Sequence, residues 1–239
     1  AAAKSRYESG GLSQKPTKTI RSFSNPALMD GHKEYEAYKA YYGTGDYAHL
    51  FVTGALEGTN VDFPGNGDAN FGTVNDDATR IQGVKKGIVF LSFWHWALYE
   101  FEAGIDNCVA GQTGNTGAVH RWDEGVAFYT GSLQTTTDTD AGILMYALAQ
   151  KRCANFKTCG ANGGSLTGAA QANVKAFAAM TDGLAKLEPA GTTTAMLNAM
   201  GRTLEGWMHV YNFNTDHTAP FFHLVSAPAK GGKAADARA

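Results

Sequence analysis

What this chain lacks narrows it before any motif is considered. Basic residues never cluster beyond Lys85-Lys86 and Lys151-Arg152, and the formal charge is only −2, so the electrostatic footprint of phosphate-backbone binding is missing. Nucleic acid is therefore not an expected partner. The longest apolar run, Gly87 to Phe101, is broken by Ser92, His95 and Glu100 and falls short of the roughly 18 apolar residues that a bilayer span needs. No membrane span is expected. No stretch alternates apolar and polar residues long enough for a convincing sheet, and β-branched residues are few beside Ala and Leu, which excludes a β-rich fold. No Asn-x-Ser/Thr acceptor occurs, so glycosylation says nothing about compartment.

Cysteine is also scarce. Three residues, Cys108, Cys153 and Cys159, leave at least one thiol unpaired within the chain. Cys153 and Cys159 flank a short stretch containing Lys, Asn and Gly, and a local disulfide closes there if the backbone turns. Cys108, beside the Gly/Asn/Thr-rich segment up to Gly117, is the competing partner. Three reduced, buried thiols remain the alternative reading. The opening Ala1-Ala2-Ala3 is compatible with the remnant of a removed targeting segment.

What is present supports one domain of ordinary core depth, or at most two closely packed halves: 239 residues, 44% hydrophobic and 11% aromatic. Polar, basic residues punctuated by Pro16 and Pro26 make 1–29 an extended N-terminal arm. Residues 30–226 read as a single helical metal-binding domain, and 227–239, with Gly231-Gly232, as a flexible tail. Within the domain, helices are expected from Asp30 to Gly43, from the cap Asp46 to a stop at Gly58, and from Asp76 or Asp77 through Trp94–Glu102 to Gly104. Further helices are expected from Ala118 to Tyr129 with a stop at Gly131, from a cap at Asp138 or Asp140 through Ala141 to Arg152, from Leu166 to Leu187, and from Thr192 to Tyr211. Between Val61 and Asp77 a Gly-, Asn- and Asp-rich segment reads as a long solvated loop. Its glycine falls one place late for a calcium-binding loop, and the closing Glu is absent. The fold class expected is all-α, an irregular helical bundle with long Gly/Asn/Asp-rich loops.

The chemistry lies in how histidines and glutamates are spaced. Residues four apart on a helix stand one above the other, so a His and a Glu at that spacing reach one ion together. His32 with Glu36, His120 with Glu124, and Glu205 with His209 meet that rule, where random placement gives about 0.5 such pairs. His95 adds a further stripe, with Tyr99 four residues on and Glu102 at seven. All four tryptophans lie within two residues of these histidines: Trp94 and Trp96 beside His95, Trp122 after His120, Trp207 before His209. Aromatic neighbours of this size place the imidazoles on interior-facing helices, where a polar group needs a partner. His49, His217 and His223 have no Glu at matching spacing and read as structural or loop residues.

Imidazoles, carboxylates and a phenol form a hard-to-borderline donor set suited to iron, with manganese or zinc as alternatives. Internal ion pairs at helical spacing are the competing explanation. A metal-dependent oxidase or hydrolase using the same ligands, and a structural interaction module without metal, are the other functional classes. Enzyme signatures are nevertheless missing: no Glu-x-x-His of di-iron bundles, no His-Glu-x-x-His, no Gly-x-Ser-x-Gly, no Cys-x-x-Cys-His and no Walker loop.

The segment His120-Arg121-Trp122-Asp123-Glu124-Gly125-Val126-Ala127-Phe128-Tyr129-Thr130-Gly131-Ser132-Leu133 resembles the low-iron-inducible periplasmic iron-assimilation proteins of algae, the Fea-type family. The segments around His95 and from Glu205 to His209 look similar in style. The resemblance implies a secreted or periplasmic protein that binds iron and concentrates it near the cell, without a catalytic step of its own. A membrane iron transporter or reductase is the implied receiving partner. Within the matching segment the resemblance adds weight to His120 and Glu124 as ligands. No internal repeat of the segment occurs, so the chain is a single unit of this kind.

Overall fold

The computed structural model describes residues 2–9, 18–113, 116–131 and 144–187. The fold class is all-α, a helical bundle as expected, and the strands among these residues are a single two-residue pair. Two compact units divide after Trp96.

In the first unit, helix α1 (Ala2–Ser9) and a 3-10 turn (Arg21–Ser24) lead into α2 (Pro26–Met29), α3 (Lys33–Tyr42) and α4 (Tyr47–Glu57). The arm expected to be extended is thus partly helical. Its polar sequence hid one anchor: Tyr7 is buried, stacks on His49 with 5.9 Å between ring centroids, and is joined by the ion pair from Lys4 Nζ to Glu57 Oε1. Gly43 and Gly58 end α3 and α4 in the left-handed conformation, as their positions in the sequence predict.

The loop after α4 is ordered by what it caps. Strands β1 (Asn60–Val61) and β2 (Ala69–Asn70) pair antiparallel, Asn60 opposite Asn70. Between them, the backbone N–H groups of Gly65 and Asn66 donate to the Tyr42 and Tyr41 carbonyls, which have no partner further along α3. Asp68, one of the acids of this loop, accepts from Phe63 N at 2.7 Å and holds the turn.

Helix α5 (Asp77–Ile88) starts where the sequence places a cap: the Asp76 carboxylate accepts from the N–H groups of Ala78 and Thr79, both at 3.0 Å. Arg80 of α5 reaches back to the carbonyls of Ala55 and Leu56, closing the end of α4. The glycines that interrupt α5 lie where α4 presses against it, and a Cβ on Gly87 would come within 2.8 Å of Phe51 and 2.9 Å of Val52. A π-helical turn, Val89–Phe93, then widens the helix before α6 (Trp94–Val109).

Among the described residues the second unit holds those from Ala97 to Leu187: most of α6, then α7 (Ala118–Thr130), α8 (Met145–Phe156) and α9 (Gln171–Leu187), with α7, α8 and α9 in mutual contact. Gly131 ends α7 as predicted. The caps expected at Asp138 and Asp140, and the helix expected over Thr192–Tyr211, lie outside the described residues. Helix α9 begins five residues later than the Leu166 start read from the sequence. Cys159 bridges to Ser165 and Ala170, and Gly160, Gly163, Gly164 and Gly168 adopt positive φ, so 159–170 folds as a tight loop instead.

That loop is stapled by the expected Cys153–Cys159 disulfide, with Cα atoms 4.9 Å apart. Both cysteines are buried among Ala149 and Ala170, and Cys108 carries the free thiol. Cross-linking six residues apart removes chain entropy worth about 2 kcal/mol from the unfolded state. The double substitution Cys153→Ala/Cys159→Ala is therefore expected to lower the unfolding free energy by about 2 kcal/mol. Urea titration checks this, and an unchanged midpoint would show that the loop stands without its staple.

Candidate functional site

The sequence singled out nine donors, and they fall into several places. In the first unit, His32 is the residue preceding α3, and its carbonyl accepts the Glu36 N–H at 2.9 Å. The Glu36 carboxylate itself is drawn to the turn before the helix, accepting from Gly31 N at 3.0 Å and from Lys39 at 3.4 Å. Lys39 in turn binds Asp30 at 2.8 Å. The local job of Glu36 is to hold the entry to α3.

His95 is sealed into the interior, 2% exposed. The ring of Tyr38 meets it edge-on at 4.5 Å, Trp94 packs at 4.6 Å, and Tyr47 and Tyr35 stand at 6.0 and 6.5 Å. Its Nδ1 lies 3.4 Å from the Tyr47 hydroxyl and 3.3 Å from the Leu91 carbonyl of the π-helical turn. Tyr35 donates to the Gly45 carbonyl at 3.0 Å. Burial pushes the phenols of Tyr38 and Tyr47 well above the usual tyrosine range, with neighbouring tyrosines adding to the effect. The first unit thus holds an aromatic, hydrogen-bonded interior around one imidazole.

In the second unit, Tyr99 and Glu102 are half-buried on α6. His120 and Glu124, one turn apart on α7, face each other as the spacing requires, Nε2 to Oε1 at 3.5 Å, with side chains 55% and 38% exposed. Trp122, between them in sequence, points the other way and is buried, as a helix of this periodicity demands.

Behind the pair lies a group that His–Glu spacing did not find. Glu100 of α6 has no exposed surface, and its Oε2 accepts a 2.9 Å hydrogen bond from Arg121 Nη1. Arg121 also stands 3.9 Å from Glu124 Oε2. Burial pushes the Glu100 carboxyl above the usual range, Arg121 works against that shift, and the negative charge of Glu124 adds to it. The signal in the sequence was Glu100 itself, a carboxylate between Tyr99 and Phe101 in the most apolar run of the chain, where only a partnered charge is stable.

Glu205, His209, His217 and His223 lie outside the described residues. Among the described residues, no group of three or more His, Cys, Asp or Glu side chains is arranged to hold a metal ion. The pair on α7 offers two donors, and His95 lies in the other unit. No helix among these residues is long and apolar enough to cross a membrane. No family model, curated protein or solved structure matches this chain.

Proposed function

We propose that this protein binds iron outside the cytosol and assists its assimilation, with His120 and Glu124 as the face that meets the ion. The observation that carries the reading is the arrangement on α7: an imidazole nitrogen and a carboxylate oxygen 3.5 Å apart, both open to solvent, on one face of a helix. Arg121 would oppose a cation, but its guanidinium is directed at Glu100 at 2.9 Å, which leaves Glu124 Oε1 turned toward His120. Glu205 and His209 repeat the spacing in the sequence, and iron is the cargo in place of a resident cofactor. Mixed imidazole and carboxylate donors without thiolate favour iron, manganese or zinc over softer ions.

Two further points support the reading. The segment from His120 to Leu133 resembles algal iron-assimilation proteins, and the Cys153–Cys159 disulfide belongs to the chemistry of oxidising compartments. A membrane transporter or reductase would take the ion onward.

The test is iron retention by metal-free protein after reconstitution and desalting, read alongside thermal unfolding. Iron at a hundredfold excess over its Kd is expected to add about 2.7 kcal/mol to the unfolding free energy. His120→Ala/Glu124→Gln should abolish most of that gain, measured against the melting of the same variant without metal. Protein that retains no iron and melts identically with iron and with chelator would end the proposal.

A further inference from the structure

The first unit gathers a different set of groups from the pair on α7. Tyr35, Tyr38 and Tyr42 share one face of α3, and Tyr47 opens α4 beneath them. All four rings are buried, and the Tyr47 ring lies within 6 Å of the other three, at 5.7, 5.8 and 5.1 Å. A core built only for packing has no need of four phenols, since each brings a hydroxyl that must be satisfied. Grouped around an imidazole, they have a property that phenylalanines lack.

We propose that Tyr47 and His95 form a redox-active pair in which the tyrosine gives up an electron and the histidine takes its proton. A phenol that loses an electron becomes a strongly acidic radical cation, and an unrelieved charge at a site this dry is costly. His95 Nδ1, 3.4 Å from the Tyr47 hydroxyl, is placed to relieve it. In the tautomer protonated at Nε2, the Nδ1 lone pair faces that hydroxyl. On oxidation the electron leaves to an external one-electron oxidant, the O–H bond of Tyr47 breaks, and an N–H bond forms at Nδ1. The products are a neutral tyrosyl radical and an imidazolium. The new N–H finds a second acceptor already in place, the Leu91 carbonyl at 3.3 Å. The rings of Tyr38 and Trp94 pack edge to face with the imidazole at 4.5 and 4.6 Å and hold it in place.

The π-helical turn at Val89–Phe93 has a role in this. It alters the register of the helix at the Leu91 carbonyl, four residues before His95, so that the carbonyl approaches the side chain. Such turns are frequent at functional sites.

The same unit provides a route outward. The Tyr47 ring stacks on Tyr42 at 5.1 Å and 10°, and Tyr42 meets Tyr41 at 5.2 Å. Tyr41 is half-buried and reaches solvent. An oxidant at Tyr41 can therefore draw the electron from Tyr47 across the stacked ring of Tyr42, with the proton passing to His95 and no radical formed at Tyr42. The proposed further function is uptake of one-electron oxidants by this relay.

The experiment uses the full chain freed of metal, so its outcome is independent of iron binding. A photogenerated ruthenium(III) tris-bipyridyl complex oxidises the protein, and electron paramagnetic resonance records the radical. The expected result is a long-lived neutral tyrosyl signal whose formation slows in D2O. Tyr47→Phe should lose the long-lived signal, and His95→Gln should lose the D2O dependence together with most of the yield. Because Tyr47 is a core residue, 3-fluorotyrosine placed at position 47 provides a variant that keeps the ring and its hydroxyl. It should add fluorine hyperfine splitting to the wild-type spectrum. A long-lived radical without that splitting lies on another tyrosine and overturns the proposal, as does a Tyr47→Phe protein with unchanged yield and lifetime.

Discussion

Arg121→Ala is expected to destabilise the protein by about 3 kcal/mol at neutral pH, and by much less near pH 4. The loss comes from Glu100. With Arg121 gone, a carboxylate with no exposed surface must either stay ionised without its 2.9 Å partner or take up a proton, and both are costly at pH 7. Breaking a buried pair from one side typically costs about 3 to 5 kcal/mol. The lower end applies because the Arg121 side chain is itself 36% exposed and water screens part of the interaction.

The pH dependence follows from the direction in which Glu100 is shifted. Its folded-state affinity for a proton is raised by burial and by Glu124, even with Arg121 present. A carboxyl that holds its proton more tightly when folded than when unfolded supports the fold fully below the ordinary carboxylate range. That support is lost as pH rises through the raised folded value. Removing the guanidinium, which opposes the upward shift, lifts the folded value further and widens the window. The cost of Arg121→Ala should therefore grow with pH. In a Glu100→Gln background the charge is absent, and Arg121→Ala should cost only about 1 kcal/mol, the worth of an ordinary hydrogen bond. Urea titrations of the four proteins at two pH values give the coupling directly. Equal losses at both pH values would show that Arg121 acts through its hydrocarbon stem and not through Glu100.

Glu100 also illustrates what could be read from the sequence. Local signals with a backbone mechanism were legible: Gly43, Gly58 and Gly131 end their helices and Asp76 begins one, because capping depends on a few neighbouring atoms. The local pair Cys153 and Cys159 was legible for the same reason. Signals that depend on tertiary contact were not. Tyr7 turns a polar segment into a docked helix through a residue 42 positions away, His49. The pairing of Cys159 with Ser165 and Ala170 delays α9. For the site, i,i+4 spacing correctly brought His120 to Glu124, since one helix fixes both. It could not anticipate that Glu36 would serve its own turn, or that Tyr35 and Tyr38 of a tyrosine stripe at positions 35, 38 and 42 would pack against His95. That stripe has helical periodicity of its own. Its partner, Tyr47, comes from the next helix, and no spacing within α3 reveals it.

Trp122 carries the other large effect. Its ring is 1% exposed and meets Phe101 at 4.7 Å, and its Nε1 donates to the Met180 carbonyl of α9 at 2.9 Å. Trp122→Ala is expected to cost about 3 to 5 kcal/mol through lost contact and the cavity left behind. The more discriminating variant is on the opposite helix. Gly183 sits directly against the indole: a Cβ there would overlap Cζ2 and lie 2.8 Å from Cε2 and Cη2. Helix propensity alone would make Gly183→Ala stabilising by about 1 kcal/mol. Overpacking a core position costs about 1 to 3 kcal/mol, and the ring cannot step aside without giving up its hydrogen bond to Met180, so the steric term should win and the substitution destabilise. In a Trp122→Ala background the obstacle is gone and propensity should prevail, so the same Gly183→Ala change becomes favourable by several tenths of a kcal/mol. A reversal of sign between the two backgrounds, measured by urea unfolding, is the expected result. A Gly183→Ala protein as stable as the parent would mean that α7 and α9 pack less closely than their tryptophan–glycine contact indicates.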